Sequence, residues 1–207
     1  MRKDTLKIKL YSGFLIPLLL SVLLTGYIVY ILGNFNEIKT ENLKVTTDLA
    51  HSLIMKYVEQ ERNGEIQIQE AKQSAIESVR AMRYREDDYL WINNMTPKMI
   101  MHPMDPNLDG RDLSDYMDKN GKKLFAKMVE VVEDEGDGEV SYMWPKPGSD
   151  EPSEKISYVR RVDHWDWIVG TGLYVDDVGV VTRLITKTRI TVLIILAFTL
   201  LISIIYT

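Results

Sequence analysis

The 207-residue sequence contains no cysteine. This absence excludes disulfide bonds, thiolate metal sites and catalysis by a cysteine nucleophile. Positive charge is not in excess either, because 25 Lys and Arg stand against 30 Asp and Glu, giving a net charge of −5. Such a chain lacks the basic surface that nucleic-acid binding requires, and we expect no nucleic-acid partner. Without disulfides the fold must depend on an ordinary apolar core, which about 150 residues can form.

Charge is also missing from two long stretches of the chain. No charged residue occurs in 10–36 or in 190–207. Because roughly 20 apolar residues in a helix cross the hydrocarbon core of a bilayer, we predict transmembrane helices at 11–33 and 189–207. Four of the first nine residues are basic and one is acidic, which predicts a cytoplasmic N-terminus at 1–10. Residues 34–188 are then one extracytoplasmic domain.

The spacing of apolar residues predicts the elements of that domain. Apolar side chains recur every three or four positions in segments typical of helices, namely 34–62, 65–85, the segment that Gly121 opens, and 175–187. Apolar and polar residues alternate in segments typical of strands, namely 88–93, 99–102, 139–144, 155–162 and 166–174. We therefore predict the α+β class, with a five-stranded antiparallel sheet packed against long helices and flanked by the two transmembrane helices.

Six motifs follow one another along the domain. They are Tyr89-Leu-Trp-Ile-Asn-Asn94, Met99-Ile-Met-His-Pro103, Gly110-Arg-Asp112, Val140-Ser-Tyr-Met-Trp-Pro-Lys-Pro-Gly148, Lys155-Ile-Ser-Tyr158 and Trp167-Ile-Val-Gly-Thr-Gly172. In this order and spacing they resemble the single Cache sensor domain. That family supplies the extracytoplasmic input of bacterial methyl-accepting chemotaxis receptors and of some sensor kinases.

The resemblance implies a fold and a function. The fold is a PAS-like five-stranded sheet with a long N-terminal helix and one pocket for a small organic molecule. The ligand is often a short carboxylate such as acetate, propionate, pyruvate or lactate. We expect a chemotaxis-receptor input in the bacterial cytoplasmic membrane, with two passes and no enzymatic activity. The alternatives are the input of a sensor histidine kinase and a stand-alone, membrane-tethered binding protein. Long membrane-proximal helices of this kind tend to pair, so we also expect a homodimer.

The candidate ligand-binding residues are those that can donate hydrogen bonds to an anion or exclude water from it. They are Tyr89, Trp91, His102, Tyr142, Trp144, Lys146 and Tyr158. Strand alternation places Tyr89 with Trp91, and Tyr142 with Trp144, while Lys146 supplies the positive charge. The competing interpretation is structural, because aromatic residues that alternate in strands are often core. His102 is then a buried core histidine and Lys146 a solvated turn lysine.

One motif points to a different ligand. Asp105-x-Asn107-x-Asp109-Gly110 matches the opening of the calcium-loop pattern. The twelfth position, where calcium loops carry a bidentate Glu, is Tyr116. We interpret the segment as a turn and expect no metal ion and no cofactor. The sequence likewise shows no nucleophile with a plausible base and no glycine loop for phosphate.

Overall fold

The computed structural model describes residues 16–84, 88–175, 186–187, 190–194 and 197. Helices α1, α2 and α3 span Ile16–Arg62, Ile68–Ala81 and Leu124–Glu135. The strands β1 to β6 are, in order, Arg83–Tyr84, Asp88–Asn94, Met99–Met101, Asp137–Pro145, Pro152–Val162 and Trp167–Tyr174. Short 3₁₀ turns at Pro106–Leu108 and Asp163–Trp165 lie between them. All six strands belong to one compact unit, Lys39–Asp177.

The strands form a single antiparallel sheet. Its order is β1-β2-β6-β5-β4, and β3 also pairs with β2. Strands β2 and β6 pair over five residues from Leu90 to Asn94, and β5 lies between β6 and β4. The sheet brings the middle of β2 beside residues 167–171 of β6, although the two segments are far apart in sequence.

Both faces of the sheet are covered. Tyr89 and Trp91 face a core that includes Phe125 and Met128 of α3. Leu90 and Ile92, which alternate with them, face a second core that includes residues of α1 and α2. The two cores explain why β2 carries an almost continuous run of buried residues, because each side chain is buried on one face or the other.

Glycine ends two of the helices. The chain turns after α1 at Gly64, whose φ is +74°, and after α3 at Gly136, whose φ is +81°. These left-handed conformations strain any residue with a Cβ, so glycine is the residue that stops a helix there. The predicted stop after residue 62 is confirmed.

The predicted α+β class and antiparallel sheet are confirmed, with two corrections. The helix predicted at 65–85 is shorter, Ile68–Ala81, and the two residues Arg83–Tyr84 instead form β1 by pairing with Tyr89 and Asp88. The sheet therefore has six strands and not five. No glycine or proline marks this helix end, so local sequence alone could not place it. The third helix, predicted to open at Gly121, begins instead at Leu124, and Gly121, with a φ of +79°, lies outside it.

In the part of the chain that the structure describes, no helix is both long enough and apolar enough to cross a membrane. Both predicted spans, 11–33 and 189–207, include residues outside the described part. Most of the helix predicted at 175–187 also lies outside the described part.

Candidate functional site

Lys155 is a fully buried cation in the middle of the sheet. It lies in β5 opposite Tyr142 of β4 and Tyr174 of β6, and 1% of its surface is exposed. Its Nζ donates a hydrogen bond to the Tyr89 hydroxyl at 2.9 Å. Nζ also lies 4.1 Å from the centroid of the Tyr89 ring and 5.0 Å from that of Tyr174. The ammonium group is therefore held by aromatic rings and one hydroxyl group.

Burial makes the charged form of Lys155 costly. Removal from water lowers the pKa of Lys155 from 10.5 to about 7, and the charge of Asp88 opposes this shift. Among the described residues, none forms an ion pair with Lys155. Buried charges are normally paired, so a lysine in this position is poised to accept an anionic partner.

A glycine in the neighbouring strand leaves room for this lysine. A Cβ at Gly172 would lie 2.9 Å from the Lys155 Cε, 2.7 Å from the main-chain oxygen of Ile156 and 2.1 Å from the Ser157 Oγ. Gly170 does the same for Trp91, whose ring would lie 2.6 Å from an added Cβ. The two glycines of β6 thus permit both side chains to lie flat across the sheet.

Lys155 borders a small cavity between the sheet, α3 and the loop after β3. Its lining consists of Tyr89, Trp91, His102, Phe125, Tyr142, Trp144 and Lys155. The space between these side chains, including the part that is open to solvent, is about 180 Å³. Within it, the centre of a water molecule can move through about 10 Å³. The latter is on the order of the room that one water needs. Lining side chains must therefore move to admit even a molecule of a few non-hydrogen atoms.

His102 is neutral and has a defined tautomer. Burial and the charge of Lys155 lower the pKa of His102 to about 3. Its Nδ1 accepts a hydrogen bond from the main-chain N–H of Asp105 at 2.9 Å. A neutral imidazole has one donor and one acceptor, so the proton must be on Nε2. His102 therefore brings an N–H donor to the cavity lining.

The remaining polar groups differ in what they can still offer. The Tyr142 hydroxyl is paired with Ser157 Oγ at 2.9 Å. The indole N–H of Trp91 donates to Asn93 Oδ1 at 3.1 Å. Trp91 thus contributes its ring face, and not the donor that the sequence suggested. Lys155 carries the positive charge of the lining, because His102 is neutral.

Of the seven candidate residues, the structure places five around this cavity, and two lie elsewhere. Lys146 is half-buried just beyond β4, with its Nζ 5.5 Å from the Tyr174 ring centroid. Tyr158 lies on the opposite face of the sheet. Its hydroxyl donates to Asp137 Oδ1 at 2.6 Å, and its main-chain oxygen accepts from Thr47 of α1 at 3.3 Å. Burial and the Asp137 carboxylate raise the pKa of Tyr158.

Sequence reasoning missed the cation of the cavity. Lys155 and Tyr158 differ by an odd number of positions in β5, so they lie on opposite faces. Tyr158 was a candidate together with Tyr142 and Trp144, but the residue of β5 that pairs with Tyr142 and shares its face is Lys155. Phe125 was assigned correctly to the apolar face of the third helix but not to the cavity. Lys155 lies beside Gly172 only because β5 pairs with β6, so no local signal in the sequence marked this lysine.

The acidic side chains of the calcium-like segment form hydrogen bonds with other groups of the protein. Asp105 Oδ1 accepts from the main-chain N–H of Asn107 at 3.2 Å, which caps the 3₁₀ turn. Asp109 bonds to the His102 main chain and to Arg80. Within the described residues, no group of three or more His, Asp or Glu side chains is placed to hold a metal ion.

Known proteins are similar to this chain in sequence and in fold. Over 146 residues the chain is 42% identical to the methyl-accepting chemotaxis protein McpP of Pseudomonas putida, a match that covers 70% of this chain and 27% of the relative. The chain thus spans about a quarter of that receptor.

Two solved structures are similar to this chain. A periplasmic sensor domain of a chemotaxis protein superposes with a TM-score of 0.66 at 44% identity, covering 67% of this chain and 96% of that domain. A Cache chemosensory domain, whose structure addresses carboxylic acid recognition, superposes with a TM-score of 0.67 at 38% identity, covering 69% and 97%. The family model for single Cache domain 2 matches residues 35–187. The chain therefore belongs to the single Cache domain 2 family of sensor domains.

Proposed function

We propose that the chain is the extracytoplasmic input of a chemotaxis receptor and that it binds one short monocarboxylate in the cavity beside Lys155. The observation that carries the proposal is a fully buried lysine bonded to one hydroxyl and enclosed by aromatic rings. A carboxylate at Nζ would neutralise the charge, and a charged hydrogen bond contributes about 1.5–3 kcal/mol.

Size and charge narrow the class of ligand. One cation among the lining residues suits one carboxylate, and a second carboxylate would be buried without a partner. The cavity is well below the roughly 300–1,000 Å³ of sites for drug-sized ligands. Acetate, propionate, pyruvate and lactate meet both conditions, with the aromatic rings of Trp91, Phe125 and Trp144 around the short carbon chain. The carboxylic-acid recognition named for the neighbouring structure supports this class.

The direct test is calorimetric titration of the 207-residue chain with acetate, propionate, pyruvate and lactate. We expect at least one to bind, and Lys155→Met to weaken that binding by at least about tenfold, since 1.4 kcal/mol corresponds to that factor. Tyr158→Phe is the matched control, because its hydroxyl bonds to Asp137 on the other face. If no acid binds more tightly than millimolar, or if Lys155→Met binds like the parent, the site is wrong.

We further propose the membrane arrangement that the sequence predicts, with spans at 11–33 and 189–207 and a homodimer formed through α1. The uncharged stretches at 10–36 and 190–207 support the spans, and the exposed apolar residues of α1 support the dimer. The input of a sensor histidine kinase would use the same cavity. The DNA downstream of codon 207 distinguishes that alternative.

A further inference from the structure

The loop that follows β3 fixes His102 at two points. The main-chain N–H of His102 donates to Asp109 Oδ1 at 2.6 Å. The ring Nδ1 accepts from the main-chain N–H of Asp105 at 2.9 Å. β3 ends at Met101, one residue before His102. Asp109 therefore supplies the acceptor that a neighbouring strand would otherwise supply.

Asp109 is itself held from two directions. Gly110 follows it with a φ of +80°, and the Gly110 N–H donates to the main-chain oxygen of Met99 at 2.8 Å. The second carboxylate oxygen, Oδ2, lies 2.9 Å from Nη2 of Arg80 in the last turn of α2. The carboxylate that a calcium loop would offer to a cation is thus already paired with the guanidinium group of Arg80.

We propose that Asp109 is a positioning residue of the ligand cavity, which holds the main chain of His102 and of its loop, and thereby the ring, and connects them through Arg80 to α2. The inference rests on the proposed function in one respect, namely that His102 contacts the ligand. The contact between a carboxylate and an N–H is charge-assisted and stronger than its neutral equivalent.

Position along the chain supports the connection. Arg80 and Asp109 are separated by 29 residues, and both are only partly exposed, with 38% and 27% of their side-chain surface accessible. The pair joins α2, which packs on β2, to the loop that carries His102. A cavity residue and a helix on the other face of the sheet are thereby linked through two side chains.

A double-mutant cycle on the 207-residue chain tests the proposal. Propionate affinity is measured for Asp109→Ala and His102→Ala, singly and together. We expect Asp109→Ala to weaken binding about tenfold, and Asp109→Asn, which keeps an acceptor for the His102 N–H, to weaken it less. In the His102→Ala chain, where no ring is left to position, Asp109→Ala should change the affinity by less than about twofold.

Nitrogen NMR of the histidine rings provides a readout that needs no ligand. The sequence has three histidines, and His102→Ala identifies the signal of interest. We expect that ring to be the Nε2–H tautomer in the parent, because Nδ1 accepts from the Asp105 N–H. Asp105 and Asp109 belong to the same loop, so Asp109→Ala should loosen that bond and give a mixture of tautomers. Glu130→Gln, which breaks the exposed Lys127–Glu130 pair on α3, should leave both readouts unchanged.

The outcomes are separable. If Asp109→Ala weakens binding equally with and without His102, or leaves affinity unchanged, Asp109 is not a positioning residue for His102. If the parent binds no acid, the proposed function fails, and the NMR result alone decides: an unchanged ring signal in Asp109→Ala overturns the inference, and a changed one supports it.

Discussion

The buried charge of Lys155 is expected to lower the stability of the fold and to favour binding of the ligand. Its ammonium is buried with a single hydroxyl as hydrogen-bond partner, which disfavours the folded state whenever the lysine is charged. The same unmatched charge is what attracts a carboxylate. A substitution that removes the charge should therefore affect stability and binding in opposite directions.

Lys155→Met should give a chain that is more stable and binds the acid at least about tenfold more weakly. Replacing a buried ion pair with apolar residues of similar volume is often neutral or stabilising by about 1–4 kcal/mol, and the same reasoning predicts that Met in place of the buried Lys155 stabilises the chain. Because the folded-state pKa of Lys155 is about 7 and the ordinary value is 10.5, the unfolded state binds the extra proton between those values. The stability of the parent should rise through that pH window, and the advantage of Lys155→Met should shrink.

Thermal melts of both chains at pH 6 and pH 9.5 measure this effect. Ligand affinity of the parent should fall as pH rises through about 7, because the ammonium form is the one that pairs with a carboxylate. A lower melting temperature for Lys155→Met at pH 6 would contradict the account.

The face on which a side chain lies was the hardest feature of β5 to predict. Hydropathy identifies the buried face of a strand when the other face meets water. Here both faces are covered, so Tyr158 and Val159 are both buried, with 6% and 0% exposed, and the pattern does not show which face meets the cavity. A buried lysine runs against hydropathy altogether. The aromatic pairs Tyr89 with Trp91 and Tyr142 with Trp144 were predictable, because each pair obeys alternation within one strand.

At the scale of elements, α1 presents apolar residues on its outer side. Val45 and Leu49, four positions apart, are 48% and 62% exposed, whereas Ala50 and Ile54 on the inner side are fully buried. Residues spaced in this way lie on one face of a helix and form the seam when two helices pair. In a twofold-symmetric dimer of parallel helices, Leu49 would meet Leu49 of the second copy.

Leu49→Cys should therefore form a disulfide-linked dimer under mild oxidation. The natural sequence has no cysteine, so any cross-link must involve the introduced residue. Lys127→Cys, on the exposed side of α3, is the matched control and should stay monomeric on a non-reducing gel. Equal cross-linking of the two variants would indicate random collision, and no cross-linking at residue 49 would contradict pairing through this face.

At the scale of the whole molecule, the order of elements was predictable from the sequence, and their exact ends were less so. Strands β2 to β6 were all predicted within a few residues, because alternation and turn formers mark them. β1 was not, since its two residues form a strand only by pairing with β2. The first helix ended before Gly64, as its predicted bound at residue 62 required, and the third before Gly136, while α2 ended without any such signal.

Membrane topology is the prediction that belongs to the whole chain. Four basic residues among the first nine precede the uncharged stretch 10–36, and basic residues near a span favour the cytoplasmic side. Arg183, Lys187 and Arg189 lie on the outer side in this arrangement, but long translocated domains override such local charge. The family membership, and the likeness to a periplasmic sensor domain, agree with an exported domain.

A fusion of alkaline phosphatase after Lys72 should therefore be active, because the enzyme requires export. A fusion after Lys9 should be inactive. If the fusion after Lys9 is active and the fusion after Lys72 is not, residues 34–188 lie in the cytoplasm. An extracellular carboxylate would then not reach the Lys155 cavity.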